Sequence, residues 1–180
     1  SIIIGILFSY VYFISHKLSK VIFKKLNGNF ILKGVIGGLI LGIFGTLLPL
    51  TMFSGEKQMY LLLGSGVQFG LTVLILTSVL KIVLTNICLE TGFKGGNFFP
   101  LIFSGTSMGY VLSIFLNMDS VISMAILTTS FIASILKKPI AVVLLLMIIF
   151  PVDLIPLMLV SAVVVCLFKT PGFLEVSSEH

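Results

Sequence analysis

The chain has 180 residues, 58% of them hydrophobic and only 9% charged. A soluble domain carries about 25% charged and roughly 45–50% apolar residues, so a soluble fold is excluded and an integral, multi-pass membrane protein is expected. All eleven basic residues are lysine, and against six acids they give a formal charge of +5. Such a balance suggests nucleic acid in a soluble chain, but here the lysines gather mostly at the ends of apolar runs, where they report topology.

The first element is predicted from Ile2 to about Ile22, a run long enough to cross a bilayer core of about 30 Å. No initiating Met and no basic stretch precede it, so it reads as a true span entered in the middle of a longer protein, and the chain is expected to be a fragment. His16, Lys17, Lys20, Lys24 and Lys25 close it, and the turn LNGN (26–29) leads to a second span from about Ile31 to Leu50, opened by Lys33. Five lysines in one connection place it in the cytoplasm by the positive-inside rule. The segment TMFSGEKQMY (51–60) then lies outside. The second span carries Gly34, Gly38 and Gly42 at four-residue spacing, which puts them on one face where a partner helix can approach closely. Gly105 and Gly109 repeat the spacing later, and both rows are expected to be packing surfaces.

A third span is predicted from about Val67 to Leu89, and FKGGNFFP (93–100) breaks the chain after it. Phe98 to Leu116, the turn NMDS (117–120) and Val121 to Leu136 follow. KKP (137–139) breaks the chain again, Ile140 to Ile149 is too short to cross, and PVD (151–153) turns it into Leu154 to Phe168. Short apolar segments interrupted by glycine and proline are what broken and re-entrant helices look like. The fold class expected is therefore an all-α membrane bundle of tilted, broken and re-entrant helices, with a membrane domain over 1–170 and a polar tail over 171–180.

Few polar side chains could carry chemistry. Cys88 and Cys166 fall in apolar segments with no spacing for zinc or a disulfide, and read as small membrane-core residues. Glu56, Asp119 and Asp153 lie in predicted turns, Glu90 ends a span, and Glu175 and Glu179 lie in the tail, so no acid pair shares a membrane-depth face. Ser65 has no base within reach, because the histidines are His16 and His180. An enzyme is not expected, and no cofactor is implied. Lys81, eight residues before the end of its span, either snorkels or faces an aqueous or anion-visited interior. Lys137 and Lys138 raise the same alternative beside a proline break.

GGNFFP offers more. Gly-Gly-Asn does not readily continue a helix, while Phe98 begins one and Pro100 suits its first turn. The first turn leaves N–H groups unpaired at the positive end of the macrodipole. Inside a membrane, the amides of Asn97, Phe98 and Phe99 become an anion cradle, and Gly96 lets an ion come close. The alternative is an ordinary surface turn between spans.

GNFFP (96–100) resembles the GxFxP motif of the CLC chloride channels and chloride/proton exchangers. The neighbours resemble that family in the same order: the glycine-rich KGVIGGLILGIFGTLLP (33–49), a helix with mid-span Lys81, FSGTSMGYVLS (103–113), and SFIASILKKPIAVVLLLM (130–147). The resemblance implies one inverted-repeat half, the C-terminal one, of a transporter domain that forms homodimers with a pore in each subunit, in a bacterial-type cell membrane. It implies chloride or a similar anion as ligand, coordinated by backbone amides at Asn97 and Phe98. The family's serine-bearing GSGIP and gating GxEGP segments do not occur in 1–180. By register Phe173 stands where the family has an ion-contacting tyrosine, and Asn97 replaces an expected aliphatic residue. Channel and exchanger are not separated by these residues. A membrane structural or assembly module without transport of its own is the alternative.

Overall fold

Helix boundaries fall where the chain supplies caps and breakers. The computed structural model describes residues 1–24, 26, 29–51, 70–93 and 95–168. Among them are seven α-helices: α1 (Ile2–Lys24), α2 (Phe30–Leu47), α3 (Leu71–Glu90), α4 (Phe98–Leu116), α5 (Ser120–Leu136), α6 (Pro139–Leu146) and α7 (Ile155–Leu167). Short 3-10 turns occupy Pro49–Thr51 and Val152–Leu154, and no strand occurs among the described residues. Asn117 ends α4 in the left-handed region at φ 50°, and Asp119 starts α5 by accepting from the N–H groups of Val121 and Ile122 at 2.9 and 3.1 Å. Lys137 ends α5 at φ 54°, and Pro139 opens α6 at a position whose N–H would be unpaired anyway.

Helices α1 to α4 are each long and apolar enough to cross a membrane. The later ones are not: α6 has 8 residues and α7 has 13, and eight residues rise only about 12 Å. The broken-helix architecture expected of the sequence is therefore present, as an all-α membrane bundle.

Helix α5 lies at the centre and packs on α1, α4, α6 and α7, while α3 packs on α1 and α4. Small residues allow the close approaches. A Cβ on Gly109 would stand 2.5 Å from Met124 Cα, and one on Gly105 would stand 2.9 Å from Thr128 Cα. Both distances are too short for any side chain, so the expected packing role of this pair holds. Gly5 brings α1 onto α5 in the same way, with its Cβ position 2.7 Å from Ser130 Cβ. The Ser9–Ser134 hydroxyl pair at 2.8 Å and the edge-on Phe8–Phe131 rings at 5.8 Å complete that contact. In lipid such contacts replace the hydrophobic drive that holds soluble bundles.

Helix α2 leaves one expected packing face without a neighbour among the described residues. Gly34, Gly38 and Gly42 do share a face, but nothing described lies within 4 Å of the Cβ position of any of them. The buried glycines of α2 are Gly37 and Gly45, and Gly37 meets Thr91 and Phe93 instead. Only 11% of α2 is buried, against 67% of the window in α4. The row satisfies the spacing rule without having a partner among the described residues.

Candidate functional site

The break between α3 and α4 opens onto a cavity of about 220 Å³, lined by Gly95, Gly96, Asn97 and Pro100 on one side. Lys81, Leu84, Thr85 and Cys88 line it from α3, Leu41 from α2, and Thr51 from the turn that follows α2. The α3 residues stand at i, i+3, i+4 and i+7, the spacing of one helical face. Lys81 therefore brings Thr85 and Cys88 with it. That signal was readable from the sequence once Lys81 was known to face inward.

Lys81 does face inward. It is 2% exposed, its Nζ donates to the Thr51 carbonyl at 3.2 Å, and it lies 5.0 Å from the centre of the Phe103 ring. A cation over an aromatic face at that distance is attracted by the ring quadrupole. Of the two alternatives for this residue, interior placement is the one observed. Lys137 and Lys138 do not line the cavity. Lys137 donates to the Phe168 carbonyl at 2.7 Å and closes the end of α7, and Lys138 is exposed.

On the opposite wall, α4 begins at Phe98 with Asn97 as its N-cap residue. Leu101 N–H bonds back to the Asn97 carbonyl at 3.2 Å, and Pro100 has no N–H to offer. The amides of Asn97, Phe98 and Phe99 have no hydrogen-bond partner among the described residues. Gly96 and Asn97 line the cavity, whereas the Phe98 side chain packs on the core and that of Phe99 is 46% exposed. The two phenylalanines can thus contribute only through their backbone.

A further feature had no sequence signal. Asn97 makes no side-chain cap to its own helix; its Nδ2 donates to the Tyr12 hydroxyl at 3.3 Å, across 85 residues of chain. Tyr12 is 6% exposed in the junction of α1, α3 and α4. Its carbonyl accepts from Asn86 Nδ2 at 3.2 Å and from Ser15 Oγ at 2.9 Å.

Chemically, the described walls of the cavity bring together Lys81, Asn97 and the glycine backbone at 95 and 96, next to the unpaired amides that open α4, and none of the described lining residues is acidic. That donor set suits an anion. Phe173, Ser65 and the tail from 171 to 180 lie outside the described residues, as do Lys25, Lys57, Lys94 and the start of the third span at Val67.

A family model described as voltage gated chloride channel matches residues 1–169. Proteins named "Putative ion-transport protein YfeO" are also similar. The one from Salmonella newport is 39% identical over 83 residues, which is 43% of this chain and 19% of the relative. The one from Escherichia coli O1:K1 is 35% identical over 78 residues, again 43% of this chain and 18% of the relative. The match therefore spans about a fifth of the length of these curated relatives.

Proposed function

The chain belongs to the voltage gated chloride channel family, and on that premise we propose that it moves chloride or a similar anion across a membrane by way of the amides that open α4. The observation that carries this reading is the cavity lined by Lys81, Gly96 and Asn97 with no acid among its described walls. Asn97, Phe98 and Phe99 supply backbone N–H donors, Gly96 gives the ion room, and Lys81 supplies long-range attraction. Amides hold an anion through partial charges, so an ion that enters can also leave. Chloride, nitrate and fluoride would all meet the same donors.

On this reading the chain is the C-terminal half of the transporting domain. The serine-bearing and glutamate-bearing segments that complete the family's pathway come from the rest of the protein, which works as a homodimer in a bacterial-type cell membrane. Both a channel and a proton-coupled exchanger fit the amide site. Chloride uptake driven by an imposed proton gradient separates them. A Phe173 side chain at the family's tyrosine position would leave one hydroxyl donor fewer around the ion.

The test is chloride flux from liposomes carrying the full-length protein, wild type against Gly96→Val. Nothing described lies within 4 Å of the Gly96 Cβ position, so valine meets no described neighbour and projects into open space at the cavity. Flux is expected to fall at least tenfold in folded protein, and unimpaired flux would remove the site. A second reading, an assembly module without transport, is favoured by the glycine face of α2, which meets no neighbour among the described residues. Assembly with a partner and no anion flux in the wild type would support it.

A further inference from the structure

Asparagine is among the strongest N-cap residues, because its Oδ1 can accept from the N–H of the second or third helical residue. In α4 these are Phe99 and Pro100, and proline has no N–H. A capping Asn97 would therefore take the Phe99 amide, one of the three donors of the cradle. Yet Asn97 does not cap. Its backbone sits at φ −80° and ψ −6°, and its side chain reaches away to the Tyr12 hydroxyl.

Tyr12 is well held for this purpose. Its ring is buried and lies parallel to that of His16, with 9° between the planes and 6.2 Å between the centres. Its carbonyl is gripped from α3 by Asn86, whose Nδ2 also donates to Ser15 Oγ at 2.6 Å. A hydroxyl both donates and accepts, so it can hold either end of the carboxamide. We propose that Tyr12 is a positioning residue for the anion site: its hydroxyl holds the Asn97 carboxamide off the first turn of α4 and so keeps the Phe99 N–H open to the ion. The proposal rests on the anion-site reading above. It also accounts for a polar residue where the family resemblance leads one to expect an aliphatic one: Asn97 is compatible with the cradle because Tyr12 restrains it.

The experiment is the chloride dependence of flux in liposomes carrying the full-length protein. Tyr12→Phe removes one oxygen and frees the carboxamide to cap Phe99. The half-saturating chloride concentration is expected to rise five- to tenfold, equivalent to about 1–1.4 kcal/mol. In an Asn97→Val background, whatever its own chloride dependence, adding Tyr12→Phe is expected to change nothing, because no carboxamide remains to restrain. An equal shift in both backgrounds, or no shift in the native one, would overturn the proposal. Asn97→Ser keeps the test open if Tyr12→Phe fails to fold. Serine caps well but is too short to reach Tyr12, so it is expected to need more chloride than Asn97→Val, and equality of the two would count against the proposal. Gly96→Val separates the levels. If it leaves flux intact, the anion site itself fails; if it blocks flux while Tyr12→Phe is silent, only the role of Tyr12 fails.

Discussion

Burying the ammonium of Lys81 costs several kcal/mol even after a protein relaxes around it. The Thr51 carbonyl and the Phe103 ring offset part of that cost. A charge kept at membrane depth on such terms points to function. At an effective dielectric of about 20, an ammonium attracts an anion about 8 Å away by on the order of 2 kcal/mol. Lys81→Met, similar in length and apolar, is therefore expected to keep or raise thermal stability while cutting chloride flux at low chloride roughly tenfold. Flux equal to wild type at low salt would deny Lys81 its electrostatic role. The sequence located this charge along its helix but not around it. Helix α3 does carry a polar stripe, with Thr77, Ser78, Lys81 and Thr85 on one side, but in lipid a stripe does not say which neighbour it will face.

Between helices, backbone distance decides what glycine spacing only suggests. The Cβ position at Gly109 meets the backbone of Met124 rather than the end of a movable side chain, so α4 and α5 would have to separate to admit a larger residue. Gly109→Val is expected to cost about 1–3 kcal/mol, the usual range for overpacking. It should lower the melting temperature of the detergent-solubilised protein, while Gly38→Val, which meets nothing described, leaves it unchanged. Equal melting temperatures for the two variants would contradict the packing assigned here. Element ends were legible for a local reason. The predicted Phe98–Leu116 helix has the observed limits, and the NMDS and KKP turns fall where α5 starts and ends. Caps and prolines act within one turn of helix. The Gly34, Gly38 and Gly42 row meets no neighbour among the described residues, because spacing aligns a face without supplying one.

For the whole molecule, the lysines at helix ends are expected to govern insertion rather than chemistry. Lys20 and Lys24 are exposed in the last turns of α1, do not line the cavity, and border the connection that the positive-inside rule assigns to the cytoplasm. Replacing both with glutamine is expected to raise the share of molecules inserted the other way round. Labelling of a cysteine placed in that connection, from each side of the membrane, measures this. Chloride dependence in correctly oriented molecules should not change, and a shift there would tie these lysines to the anion path.

The sequence by itself determined the membrane class, the limits of most helices and the break at 93–100 where bare amides had to appear. These follow from composition and from rules that act within a few residues, because a helix start, a proline or a missing N–H has its consequence on the spot. Only the tertiary structure decided that Lys81 faces the break, that Gly37 rather than the row of Gly34, Gly38 and Gly42 meets a described neighbour, and that Tyr12 meets Asn97 across 85 residues. Those outcomes depend on how helices rotate and approach one another. That rotation is set by backbone-to-backbone packing at Gly5, Gly105 and Gly109, and no local pattern in apolar helices encodes it.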